Sequence, residues 1–177
     1  MKKSICIFLL SIISLVSFGQ IKRNIDGIIL GKTTKSEVVN YFNNKGIPYT
    51  FTNINTYNAV SSKEGRAFGG VQWQFNDFVL YNDVVVQVTY SKMSGEGLTI
   101  TKEERDLDFE SLFLSLKRKY GHYFISSKSD KNKKAFSDAS ISIILRRDYY
   151  QDHYIFSLEY TDIKLMEKSF MEQYDEL

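Results

Sequence analysis

The side chains able to do chemistry are few, and they gather at one place. "DYYQDHY", Asp148 to Tyr154, sets Asp148, Asp152 and His153 within six residues. Two carboxylates and an imidazole offer the oxygen and nitrogen donors that a divalent cation takes. The same residues also fit the solvated tip of a hairpin, where aspartates accept turn hydrogen bonds. The other histidine, His122, follows Gly121 at a helix exit, where a surface role is the plainer reading. No G-x-S-x-G elbow, H-E-x-x-H pair or phosphate-binding glycine loop occurs. Gly95 to Gly97 ("GEG") lacks the strand-to-helix context of such a loop. Glu103 and Glu104 fall in the first turn of an expected helix, where the positive end of the helix dipole accounts for them. This inventory points away from an enzyme and from any cofactor.

Aromatic residues are more telling, at 15% of the chain. Tyr149 and Tyr150 stand side by side in what reads as a turn, and Tyr57 and Tyr81 lie on the expected strands and hairpin. Exposed tyrosine combines a large apolar area with a polar tip, which suits a protein interface. These four are the expected binding residues.

The elements that must position them are legible as periodic segments. Thr34 and Glu37 make a capping box before Val38, Tyr41 and Phe42, and Gly46 and Pro48 stop that helix. Tyr49 to Val60 is strand-rich. "VQWQF" alternates, which predicts Val71, Trp73 and Phe75 on one face, continuing through "FVLY" across a bulge at Asn76-Asp77. Asn82-Asp83 reads as a two-residue turn into Val84, Val86, Val88 and Tyr90 on one face, and Ser91 to Lys102 as a loop. Thr101 and Glu104 make a second capping box before the stripe Phe109, Leu112, Phe113, Leu116 and Tyr120, closed by Gly121. Ser126 to Lys134 reads as a basic loop. A second hairpin carries Ile141, Ile143 and Leu145, then Tyr154, Phe156, Leu158 and Tyr160, with Asp148 to Asp152 as its connection. A last helix is expected over Ile163 to Tyr174, with Leu165, Met166, Phe170 and Tyr174 apolar.

The order is helix, strands, hairpin, then the same again. A one-faced helix and a one-faced sheet bury their apolar surfaces by stacking, the α+β solution. We therefore expect an α+β chain of two related helix-plus-antiparallel-sheet units, 20–97 and 98–177, the second with a C-terminal helix.

Residues 1–19 are set apart as a secretory signal. Lys2 and Lys3 precede the apolar run Ile5 to Val16, and Ser17 and Gly19 place small residues at a cleavage site. The run is shorter than the roughly 20 apolar residues needed to span a bilayer. The only cysteine, Cys6, lies inside this leader, too early to be a lipidation site. The mature chain thus has no disulfide, thiolate metal site or cysteine nucleophile. Without Lys2 and Lys3 the 23 basic and 21 acidic residues balance, and nothing favours a nucleic-acid partner. An exported protein, periplasmic or extracellular, with no stable membrane insertion after cleavage, is expected.

"LGKTTKSEVVNYFNNKG" resembles the G-x-[ST]-x-x-[DE]-V opening of small exported bacterial domains, the SmpA/OmlA-type assembly lipoproteins and the β-lactamase-inhibitor protein, through Gly31, Thr34, Glu37 and Val38. The resemblance implies helix-on-antiparallel-sheet modules, in tandem in the inhibitor, that work by binding other proteins. This chain lacks the lipidation cysteine of the assembly proteins and any disulfide cysteine, and no inhibitory loop residue carries over. The leading expectation is an exported, non-enzymatic module that binds another protein through an aromatic-bearing sheet face and hairpin loops. The alternatives are a small-ligand binder with a cavity between helices and sheet, and a metal-dependent enzyme using Asp148, Asp152 and His153.

Overall fold

The computed structural model describes residues 20–54, 57–95, 100–126 and 130–175, with side chains to 172. The expected signal lies outside the described residues, as do Glu96, Gly97 and the side chain of Tyr174.

The chain is α+β. A small hairpin, β1 (Asn24–Ile25) and β2 (Ile28–Ile29), leads into α1 (Lys35–Lys45). Strands β3 (Thr50–Ile54), β4 (Tyr57–Ser62), β7 (Phe75–Tyr81) and β8 (Val84–Met93) follow, with the short ribbon β5 (Ala67–Phe68) and β6 (Val71–Gln72) between β4 and β7. Next come α2 (Lys102–Tyr120), β9 (Phe124–Ile125), β10 (Lys133–Ser137), β11 (Ile141–Tyr150), β12 (His153–Asp162) and α3 (Ile163–Asp175). Eight strands form one antiparallel sheet in the order β3-β4-β7-β8-β12-β11-β10-β9. Its middle is the pairing of β12 with β8, Ile155 opposite Met93 through Thr161 opposite Gln87.

Both expected capping boxes form. Thr34 and Thr101 each accept from the backbone N–H three residues on, and Glu37 and Glu104 each accept from the cap's own N–H. Gly46 ends α1 at φ 63°, a left-handed conformation that costs glycine nothing. Gly121 differs from expectation. It is right-handed (φ −59°), and α2 tightens into a 3-10 turn over Gly121–Tyr123 instead of stopping at a left-handed residue.

Helices α1 and α2 cover the same face of the sheet. Val38 and Phe42 of α1 and Phe109, Leu112, Leu116 and Tyr120 of α2 are buried against Val60, Phe78, Val88, Tyr90, Ile143, Leu145, Phe156 and Leu158. Phe68 of the β5–β6 ribbon stacks on Tyr90 at 4.7 Å, and Trp73 stacks on Phe156 at 4.8 Å while its indole N–H donates to the Phe68 carbonyl. Lys92 and Arg147 tie the sheet to Asp108, Asp106 and Glu110 of α2. The third helix lies on the opposite face, where Leu165 and Met166 pack on Ala59, Val79 and Val86.

Three sequence expectations fail for one reason: alternation along one strand does not show where that strand breaks or shifts register. Trp73 and Phe75 do not share a face, because the chain leaves β6 at Gln72 and re-enters the sheet at Phe75, so Trp73 is buried and Phe75 half-exposed. No bulge occurs at Asn76-Asp77; the register shifts between Val79 and Leu80 instead. That shift puts Val85, not Val84 or Val86, in the helix-side core with Val88 and Tyr90, and sends Val86 under α3.

Candidate protein-binding face

The four tyrosines named from sequence are not brought together. Strand β11 runs on to Tyr150, so Tyr149 and Tyr150 are strand residues, not part of a long connection. The turn is only Gln151-Asp152, both at positive φ (47° and 64°). Neighbouring strand residues point to opposite faces. Tyr149 is paired with Tyr154 and packs against its ring at 5.0 Å on the α2 side, where Arg105 lies 4.8 Å over Tyr154 and donates to the Asp148 carbonyl. Tyr150, paired with His153, falls on the face away from α1 and α2 and is 62% exposed. Tyr57 and Tyr81 sit on that same face, but flanking α3: both pack at its contact with the sheet, and the Tyr81 hydroxyl donates to Glu172. That bond to a carboxylate raises the Tyr81 phenol above its ordinary range, and Asp152 does the same to Tyr149.

The Asp148, Asp152 and His153 set is likewise dispersed. Asp152 accepts from the Tyr149 hydroxyl at 2.9 Å. Asp148 lies 3.8 Å from the Arg146 guanidinium. His153 lies against Gly95, where an added methyl would stand 3.6 Å from its ring. Among the described residues no group of three His, Cys, Asp or Glu side chains is placed to hold a metal ion.

What the fold does create is a sheet face that α3 covers only at one end. Registers place its residues in rows. Asp148, Ile155 and Met93 form one; Lys133, Arg146, Ser157, Ser91 and Phe75 the next; then Ile125, Ala135, Ile144, Glu159, Thr89, Asp77, Ser61 and Thr50. Met93, Ile155 and Phe75 thus adjoin across β8 and its two neighbours. Ile144 and Ile125 make a second apolar group on the far side of Arg146. Phe75, Met93, Ile144 and Ile155 are half-buried, and Ile125 is exposed, at 53%. Serines and threonines separate them, and charge is mixed. Asp77 is held above the usual carboxylate range by burial, partly offset by Ser61.

Sequence reasoning missed these apolar residues. Alternation alone puts Phe75 on the Trp73 face, leaves Met93 in the Ser91 to Lys102 loop, and gives Ile144 and Ile155 the outward phase of their strands. The last two carried a usable signal. An isoleucine on the outward phase of an otherwise serine-bearing alternation, as at Ile155 before Ser157, marks a face that is not simply solvated.

Comparison with protein-family profiles, with curated proteins and with solved structures returns no significant match. Among the described residues no helix is long and apolar enough to cross a membrane.

Proposed function

We propose that this chain is an exported, non-enzymatic protein-binding module whose working surface is the sheet face beyond α3. The observation that carries the reading is the Met93–Ile155–Phe75 group, half-exposed in a field of serine, threonine and mixed charge. An apolar centre within a polar rim is the usual anatomy of a protein interface. Tyr150 and His153 extend that face at the hairpin end; Tyr57 and Tyr81 bound it along α3.

The architecture supports a tandem origin for the surface. Read outward from the β8–β12 seam, the sheet runs β8-β7-β4-β3 on one side and β12-β11-β10-β9 on the other. Each set follows one capped helix, and each contributes its last strand to the centre. Two related units joined this way produce a broad continuous face, larger than a single unit offers. The expected signal supports export to the periplasm or beyond.

The small-ligand alternative is less well supported. The space between α1, α2 and the sheet is filled by Phe42, Phe78, Tyr90, Trp73, Phe109, Phe136 and Phe156, all at 0% exposure, and among the described residues only an open groove of about 290 Å³ lined by Tyr57, Thr161, Met166 and Phe170 lies between α3 and the sheet. The metal-dependent alternative is weakened by the separate partners of Asp148 and Asp152.

The test is capture from the exported fraction with immobilised wild type and with a Met93→Lys, Ile155→Lys double variant. The wild type retains a partner that the variant loses, while both melt within a few degrees of each other. Identical captures by the two proteins would remove this face from the reading.

A further inference from the structure

The two ends of the sheet are built differently. One edge is β9, two residues long, too short to template a neighbour. The other is β3, five residues in unbroken register with β4 from Thr50–Ser61 to Ile54–Tyr57. Its sequence, TFTNI, carries no charge and no proline, and its register shows no bulge. These are the devices by which edge strands are normally blunted. Four of its five residues are exposed, and Phe51 is 60% exposed although it lies on the helix side. Among the described residues no strand pairs with its outer side, so a row of backbone donors and acceptors is presented there.

Beside this edge, on the helix side, is a groove of about 170 Å³ lined by Lys35, Phe51, Asn53, Asn58 and Leu80 among others. The Lys35 ammonium stands 4.5 Å over the Phe51 ring and makes no ion pair among the described residues. Tyr49, stacked on Phe42 at 5.8 Å and edge-on to Phe51, fixes the aromatic shelf on which that cation rests. A cation and two amides flanking an apolar shelf are suited to a carboxylate side chain on an apolar strand.

We propose that β3 is a docking edge for an extended, acidic segment of a partner protein, added to the sheet as a further antiparallel or parallel strand. Main-chain hydrogen bonds would supply the binding, and alternate side chains would be read by the shelf. Every second residue of the added strand points toward the helix side, and one carboxylate among these seats beside Lys35. A second copy of this chain is the less suited occupant. Pairing two β3 strands about Thr52 would set both Lys35 ammonium groups along one side of a single seam, a like-charge arrangement that disfavours it. This surface is separate from the face beyond α3, and either can fail without the other.

The test uses the isotopically labelled mature chain and three synthetic peptides: alternating valine and glutamate, alternating valine and lysine, and the glutamate peptide with a central proline. The glutamate peptide shifts the amides of Thr50–Ile54 and slows their exchange; the lysine and proline peptides do not. Lys35→Ala weakens the glutamate peptide about two- to fivefold, the usual worth of one exposed charge pair. Lys35→Glu reverses the preference between the charged peptides, a readout that needs no change to the strand itself. Unmoved β3 amides, equal binding of the two charged peptides, or protection of the same amides by self-association without peptide would each overturn the proposal.

Discussion

Arg23 and Asp162, 139 residues apart, form an ion pair, and the same carboxylate caps the C-terminal helix. Asp162 is 1% exposed; its Oδ1 accepts from the Leu165 N–H at 3.2 Å while Oδ2 takes the guanidinium. The segment before α1 therefore secures the start of α3. Asp162→Ala removes both partnerships and leaves Arg23 only its bond to the Leu30 carbonyl, at 3.3 Å. A loss of about 2–3 kcal/mol is expected, below a fully buried pair because Arg23 is partly exposed. Denaturant titration gives the total. Faster amide exchange in α3 than in α2 would locate the loss at the cap.

Gly31 stands where that pair closes. Its φ is +76°, and a methyl there would lie 3.0 Å from Arg23 Nη1 and from Asp162 Oδ2, and 3.1 Å from Leu165 Cδ1. Gly31→Ala should cost about 1–3 kcal/mol from backbone strain, before any displacement of the pair. Calorimetry checks it, and a melting temperature equal to wild type would contradict the tight approach.

Tyr90 is wholly buried and its hydroxyl has no hydrogen-bond partner among the described residues; burial pushes the phenol up to about 12, against a smaller opposing effect of Arg66. The folded state thus favours the protonated form. Its contribution is complete below the ordinary tyrosine pKa of about 10 and is lost as pH rises through about 12. Tyr90→Phe should match or exceed wild-type stability at neutral pH, since a lone buried hydroxyl costs about 1–3 kcal/mol. It should also flatten the alkaline loss, with Tyr160, raised by burial as well, supplying what persists. Stability curves of both proteins from pH 8 to 12 decide this.

Tyr149 and Tyr150 should separate in experiment. Tyr149→Ala loses the contact with Tyr154 and the bond to Asp152 and should lower the melting temperature by a few degrees. Tyr150→Ala should leave the melting temperature within a degree or two and act only on partner capture. Equal destabilisation by both would contradict their placement on opposite faces.

The two capping boxes lie on different helices and share no partner. Thr34→Ala and Thr101→Ala should each cost about 1 kcal/mol and add in the double variant. Urea midpoints of the three proteins test this additivity.

How far the sequence carried the structure depends on the kind of signal. The helices were legible because caps and stripes are local: Thr34–Glu37, Thr101–Glu104 and the Phe109 to Tyr120 stripe rely on neighbours in sequence. The Asn82-Asp83 and Gln151-Asp152 turns rest on short polar residues that accept positive φ, and only the first was placed correctly. Strand phase was the weak point. A register shift at Val79/Leu80 or a two-residue break at Trp73-Gln74 is set by cross-strand partners, which one strand's alternation does not encode. The binding face was hidden for the same reason. Met93 and Ile155 become neighbours only through the β8–β12 pairing, and Phe75 joins them only once its phase is known. Arg105, 8% exposed on α2, was also missed, because a charged residue in a helix's first turns reads as solvated until the Asp148 carbonyl and Tyr154 ring that receive it are known.

The seam between β8 and β12 has a consequence for the order of assembly. Strand β12, the last among the described residues, occupies the middle of the sheet, so β8 has no partner on one side until residues 153–162 have been made. Contacts this distant in sequence are slow to close. A chain emerging from its N-terminus would hold two unfinished halves of the sheet, and only β12 would zip them together. Loss of β12 would then cost the centre of the molecule, not its periphery.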